Sequence, residues 1–361
     1  MKKPTYEVAD FGTTKYGEKA KKFTLNGAGG VVMEVSDYGG KIIKVFTPDR
    51  DGNLKDVTVG FDDPSGWDNG DPYWGCLIGR YGNRIKAGKF TLNGQEIKLK
   101  SLNNEPGGIK CNLHGGARGW DAYIWGAEPF VKGDDVGIVF THVSPDGDEG
   151  FPGKVEVKVT YTLTAANVWR VDYEAVPDKD TPINMTQHVY WNFKGEAGGS
   201  IQDHVMTVAS SKTTPVDKGL IPVGGYADVT GTPFDFRKGM MIGERINEPN
   251  EQLEFGRGYD HNWVIDRRSE SDLEFAAELY YPGNGRKLEV WTTEPCVQIY
   301  TGNWADYNQT AKNGEHLSFR CAVALETQHA PDSPNHPEWP TTIVKAGATY
   351  RTTTEFRFGV K

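Results

Sequence analysis

The chain alternates. From Val155 to Leu163 the sequence reads Val-Glu-Val-Lys-Val-Thr-Tyr-Thr-Leu, with an apolar side chain at every second position. Only an extended strand, whose side chains repeat every two residues, gathers such positions onto one face. The same period runs through Leu273–Leu279 and again through Leu288–Thr292, with the turn-forming Pro282-Gly283-Asn284-Gly285 between them. Phe90-Thr91-Leu92 and Ile97-Lys98-Leu99 flank Asn93-Gly94, a pair suited to the positive φ angles of a tight hairpin. The stretch Tyr350–Phe358 is rich in Thr and aromatics, which suit strands. No long stripe at 3.6-residue spacing with a proper cap stands against this pattern. The expectation is an all-β fold, a large antiparallel β-sandwich. No fixed-period repeat argues for a propeller or solenoid. At about 150 residues per domain the length would suggest two or three units. No linker or charge block divides the sequence, so residues 1–361 are read as a single domain.

Charge narrows the partners. Lys and Arg number 40 against 49 Asp and Glu, a net charge of −9, and no basic stripe is visible. Nucleic acid and an anionic membrane surface are therefore excluded as expected partners. No apolar run reaches the roughly 18 residues needed to span a bilayer. Met1–Glu7 carries charges but no apolar stretch follows, so the chain reads as cytoplasmic, an export signal outside this sequence apart. Cys76, Cys111, Cys296 and Cys321 are far apart and form no CxxC pair. They are expected to be reduced, mostly buried thiols.

Five segments break the strand pattern with clustered polar residues. Gly79-Arg80-Tyr81-Gly82-Asn83-Arg84-Ile85 sets two guanidinium groups and an amide among glycines. Such groups can hold neighbouring hydroxyls or form a salt-bridged strand end. Asn112-Leu113-His114-Gly115-Gly116 places a histidine where the backbone leaves room for a ligand. In Asn184-Met185-Thr186-Gln187-His188-Val189-Tyr190-Trp191-Asn192-Phe193, a strand would put His188, Tyr190 and Asn192 on one face and Val189, Trp191 and Phe193 on the other. That pattern fits a polar pocket floor backed by core, and equally a satisfied core histidine. Tyr259-Asp260-His261-Asn262-Trp263 leads a carboxylate and aromatics into a strand. Ala322-Val323-Ala324-Leu325-Glu326-Thr327-Gln328 ends an apolar run on a carboxylate. Burial there raises a carboxylate pKa, as a general base near neutral pH requires; the plainer reading is an ion pair, with Arg84 the candidate.

In this order and spacing the five segments resemble the aldose 1-epimerase (galactose mutarotase) family, over about Gly79 to Pro340. The resemblance implies the family's large antiparallel sandwich, the galactose mutarotase-like supersandwich, with a sugar in an open cleft on one sheet. It implies His188 as catalytic acid and Glu326 as catalytic base. It also implies Asn83, Arg84, His114, Asp260 and Gln298 as sugar-binding residues. Three positions depart from the family pattern: Gln187 replaces an asparagine, Gly82 an alanine and Cys296 a glycine. None is a proton-transfer group.

The implied reaction interconverts α and β anomers of a free aldohexose, D-galactose or D-glucose, by acid–base ring opening and closure. No cofactor and no metal are expected, since the eight histidines show no HExxH pattern. The expected partner is a small sugar, and the chain a monomer or homodimer. Two other readings compete. A non-catalytic carbohydrate-binding protein would need no acid–base pair. A glycosidase usually sets two carboxylates against each other, a role that Asp260 would have to fill beside Glu326.

Overall fold

The computed structural model describes residues 3–304, 310, 312–314 and 316–361. Two large antiparallel sheets dominate it. The first has nine strands, in the spatial order Gly126–Lys132, Asp135–Ser144, Val155–Leu163, Val168–Pro177, Tyr350–Val360, Arg286–Thr292, Glu274–Tyr280, Val205–Val208 and Met240–Met241. The second has seven, with Asp260–Val264, Cys296–Tyr300 and Val323–Gln328 adjacent near its centre and Tyr190–Trp191 next to the last of these. A five-stranded sheet formed by residues 5–56 adds a further wall. Among the described residues only Pro64–Asn69 and Glu251–Gly256 are α-helical. The all-β sandwich expected from the alternation is the fold observed.

The alternating strands behave as their patterns dictate. In Val155–Leu163 each apolar residue is buried and each intervening polar residue is exposed or half-buried. Lys89–Leu92 pairs with Gln95–Lys98 around Asn93 and Gly94, whose φ angles are 51° and 79°. A shift of register between Phe275 and Ala277 bends the strand opposite Arg286–Thr292.

One apolar core joins the three large sheets. It contains Leu25 and Val45 from the five-stranded sheet, Trp169 and Phe356 from the nine-stranded sheet, and Trp191 and Leu325 from the seven-stranded sheet. Fully burying a side chain of this kind contributes about 1.5–3 kcal/mol. A polar seam crosses the core as well. The Thr354 hydroxyl meets Thr327 at 2.6 Å and Thr292 at 3.0 Å, so the strand carrying Glu326 is tied to the facing sheet. All four cysteines are buried and free, as expected.

The sequence expectation for residues 184–193 needs a correction. This stretch is not one strand. Thr186–Gln187 pairs with Leu77–Ile78, and Tyr190–Trp191 belongs to the seven-stranded sheet. His188 falls between them and donates its backbone N–H to the Cys76 carbonyl. Val189, Trp191 and Phe193 do enter the core. Asn192 does not share the face of His188 in a pocket. Its amide donates to the Gly199 and Cys321 carbonyls and closes a loop.

Candidate active site

Strand register assembles the site. Asp260 lies opposite Tyr300, which lies opposite Ala324; one row away Asn262, Gln298 and Glu326 are in line. Side chains two residues apart on a strand share a face, so Asp260, Gln298, Tyr300 and Glu326 occupy one side of the sheet. A cavity of about 580 Å³ stands over this side. Its walls include Asn83, Arg84, His114, His188, Asp260 and Glu326. Six of the seven site residues expected from the sequence are thus brought together.

Gln298 is the seventh. It is buried and does not line the cavity; its amide donates to Asp260 Oδ1 at 2.8 Å. Gln298 lies on the strand between those of Asp260 and Glu326, beside the carboxylate it bonds.

The loops opposite the sheet are held by unusual backbone. Asn83 and His114 both have positive φ, 60° and 51°. The Asn83 side-chain oxygen accepts from the Arg84 backbone N–H, a local bond that suits asparagine to this conformation. A Cβ on Gly115 would lie 2.1 Å from the Gly79 carbonyl oxygen. Only glycine lets the two loops touch there, which seats His114 beside Asn83. Arg84 Nε donates to Asn104 Oδ1 at 3.1 Å. Arg80, the other arginine of that segment, is buried and structural; it donates to Ser144 Oγ and the Pro152 carbonyl.

His188 Nε2 lies 3.4 Å from Glu326 Oε1, and both side chains are buried. The polar side chain that meets Glu326 is therefore this histidine. Burial pushes Glu326 well above the usual carboxylate range; Asp260 reinforces this and Arg84 opposes it. Burial pulls His188 down to about 3. Burial thus favours a protonated carboxyl beside a neutral imidazole, one proton shared by the pair. Burial also raises Asp260, against the opposing effects of Arg84 and Gln298.

His114 has a fixed tautomer. Its Nδ1 accepts the Asn83 backbone N–H at 3.1 Å, so the neutral ring carries its proton on Nε2. Burial, His188 and Arg84 all hold its pKa well below the usual value. His114, His188 and Glu326 are close enough for a metal ion to be considered. A metal needs an unprotonated nitrogen from each histidine. His114 has none to give while Asn83 occupies Nδ1, so the donor set suits hydroxyl groups better than a cation.

Aromatic rings complete the walls. Tyr190 stacks on His188 with centroids 4.9 Å apart, and Tyr73 packs on His114 at 4.7 Å. Tyr300 meets Tyr190 edge-on at 5.9 Å. Trp304, 44% exposed, lines the cavity with the Arg257 guanidinium 4.1 Å from its ring centre. Asp71, Tyr73, Asn104 and Glu105 also line it and were not anticipated. They come from loops whose sequence carries no period. The Asp71-Pro72 turn is the one local signal among them.

The described geometry sits within a match to the aldose 1-epimerase family over residues 21–357. The chain belongs to the aldose 1-epimerase family. This epimerase is 39% identical to galactose mutarotase from Bos taurus over 328 residues, covering 91% of each chain. It is 32% identical to aldose 1-epimerase from Escherichia coli strain K12 over 344 residues, 95% of this chain and 96% of that one. A solved galactose 1-epimerase from Lactobacillus acidophilus has the same fold, with a TM-score of 0.84, 24% identity and 99% of each chain covered. The epimerase is thus an isomerase that interconverts anomers of a sugar. The binding-protein and glycosidase alternatives are not favoured.

The departures from the family pattern have structural counterparts in this epimerase. Gln187 Oε1 accepts the His188 backbone N–H at 2.8 Å, and its Nε2 donates to the buried Tyr161 hydroxyl. A Cβ on Gly82 would lie 3.1 Å from the Asn184 carbonyl oxygen, tight but open to a small shift. Cys296 packs with Ala330 and Trp339, away from the cavity walls.

Proposed function

We propose that this epimerase acts on D-galactose or D-glucose, with Glu326 as the base and His188 as the acid of ring opening. The observation that carries this reading is the buried His188–Glu326 contact of 3.4 Å in a cavity lined by hydroxyl-binding groups. The names of the mutarotase relatives support galactose.

The pair works with one proton. Glu326 as carboxylate takes the proton of the C1 hydroxyl while His188 as imidazolium gives one to the ring oxygen. The C1–O5 bond breaks and the C1–O1 bond becomes a carbonyl. Glu326 is now protonated and His188 neutral, the arrangement that burial favours in the empty site. Rotation about C1–C2 presents the other carbonyl face. His188 then takes the O5 proton, O5 attacks C1, and Glu326 returns its proton to O1. Atoms and charge are restored. Asp260, Arg84, Asn83 and the His114 Nε2–H hold the remaining hydroxyls and keep C1 and O5 beside the pair.

Polarimetry of freshly dissolved α-D-galactose and α-D-glucose tests the reading. Relaxation should be faster with the protein than without it, and the Glu326→Gln variant should abolish the difference. Unchanged acceleration in that variant would remove Glu326 from the reaction.

We also infer a single cytoplasmic domain, monomeric or homodimeric. Four free buried thiols support the compartment, and no helix among the described residues is long and apolar enough to cross a membrane. The central place of Tyr350–Val360 in the nine-stranded sheet supports one unit. Light scattering and a single cooperative unfolding transition are the corresponding measurements.

A further inference from the structure

A second cavity, about 470 Å³, opens where the chain passes between the two large sheets. Its walls come from the turn after Arg286–Thr292, from the start of Tyr350–Val360, and from His329 just beyond Val323–Gln328. Its volume falls in the range of about 300–1,000 Å³ usual for small-molecule sites.

The polar groups in it are arranged as a site. Glu294, 2% exposed, accepts from His329 Nδ1 at 2.7 Å and from the Tyr350 hydroxyl at 3.1 Å. With Nδ1 committed, Nε2 is the nitrogen of His329 that no group among the described residues engages. Ser271, Thr293, Thr341, Thr342 and Thr352 share the walls; the Thr293 and Thr352 hydroxyls bond each other at 3.1 Å, and Thr341 Oγ1 accepts the Ile343 N–H at 3.1 Å. Ile183, Val344 and the Tyr350 ring supply apolar surface.

Charge selects the ligand. Glu294 is answered by His329, and Arg351 is paired with Glu174 at 3.3 Å. Glu270 adds a further carboxylate to the wall. Among the described residues of the walls, each cationic group has a carboxylate partner, so none is left over to attract an anion. Hydroxyl groups both donate and accept, and a sugar ring offers the same mixture with an apolar face. We propose that this cavity is a second binding site for a neutral polyhydroxylated ligand, a free sugar, distinct from the cleft over Glu326.

The two cavities share a clamp. Asn184 Oδ1 accepts the His329 backbone N–H at 3.0 Å, and its Nδ2 donates to the His329 carbonyl at 3.2 Å. The Asn184 carbonyl accepts the Gly82 N–H at 2.7 Å, one residue before Asn83. The proposal does not rest on the roles assigned to Glu326 and His188.

Titration of ¹⁵N-histidine-labelled protein with D-galactose tests it by NMR, with inorganic phosphate as a second probe. The His329 ring signals should shift saturably with the sugar. Their midpoint should stay the same in Asp260→Ala, which weakens the cleft. It should rise by about tenfold or more in Thr341→Trp, which fills the second cavity from an exposed wall position. The proposal is overturned by a His329 signal that stays still past saturation of the cleft. It is equally overturned by a midpoint that follows the cleft in Asp260→Ala, or by phosphate shifting His329 at lower concentration than the sugar. Should a wall variant not fold, a galactose-soaked crystal of the unaltered protein decides by the presence or absence of sugar beside His329 Nε2.

Discussion

The Gln187 amide reaches the Tyr161 hydroxyl, and that hydroxyl in turn donates to the Gly40 carbonyl at 2.9 Å. Through Gln187 Oε1 the chain of bonds ends on the backbone N–H of His188. A residue that touches no cavity wall thus fixes the backbone of the acid from the core side. The shorter asparagine usual in the family would leave the Tyr161 hydroxyl short of a partner. Gln187→Asn should lower stability by about 0.5–1.5 kcal/mol, the net worth of one hydrogen bond, since Tyr161 keeps its bond to the Gly40 carbonyl. Adding Tyr161→Phe should recover part of that loss. Thermal unfolding of the two single variants and the double variant measures the coupling, and strict additivity would separate the two residues.

Glu326→Gln and His188→Ala should each lower kcat by about 10²–10⁴-fold, the usual worth of a positioned proton-transfer group. Their circular dichroism should match that of the unaltered protein. The double variant should lose little more than the worse single one, because half of a proton-sharing pair has no function alone.

The pH profile should be broad. The pair has its one proton from about pH 3, where His188 accepts a second, up to the raised value of Glu326. These two steps belong to the pair as a whole. Log kcat/KM should be flat through the neutral range, with its alkaline limb far above the ordinary carboxylate value of 4.5. A limb centred near 4.5 or near the ordinary histidine value of 6.5 would show that burial does not govern these groups.

Gln298→Ala should act through Asp260. KM for the sugar should rise and kcat change little, since neither Asp260 nor Gln298 is in the proton-transfer pair. Asp260→Ala should raise KM further, and the double variant should resemble Asp260→Ala alone. Independent effects of the two substitutions would mean that Gln298 meets the sugar itself.

The Glu294–His329 pair predicts a pH dependence of stability. Burial alone would raise Glu294, but His329, Thr352 and Tyr350 hold it below its usual 4.5. Its contribution is present above pH 4.5 and fades as pH falls through the lowered folded value. Burial alone would lower His329, but Glu294 holds it above its usual 6.5. Its contribution is complete below pH 6.5 and fades as pH rises through the raised folded value. The difference in unfolding free energy between the unaltered protein and His329→Gln should therefore be largest between about pH 4.5 and 6.5. A difference that does not vary with pH would mean that the pair carries no charge.

Most of the fold was legible because a period of two admits one explanation. Val155–Leu163 and the hairpin around Asn93-Gly94 needed no tertiary context. His188 and Glu326 could be singled out because each stands at a break in an apolar pattern. The segment from Asn184 to Phe193 was misread as one strand because alternation continues through it. After His188 the chain changes partners, from Leu77–Ile78 to Val323–Ala324 and Thr58–Val59, and those partners come from far along the chain. The expectation for Gln298 came from the family resemblance, while its hydrogen bond to Asp260 depends on side-chain reach, which the sequence does not show. Asp71, Tyr73, Asn104 and Glu105 went unseen because a loop's path is set by what it packs against.

The last strand, Tyr350–Val360, is also an inner strand, lying between Val168–Pro177 and Arg286–Thr292. During synthesis both of those neighbours emerge first and wait with bare edges. Thr354, which ties Thr327 to the facing sheet, arrives with the final dozen residues. Until Tyr350–Val360 docks between those two neighbours, the support behind Glu326 is unfinished. Until then two unpaired edges are open to other nascent chains, and the C-terminal residues close them.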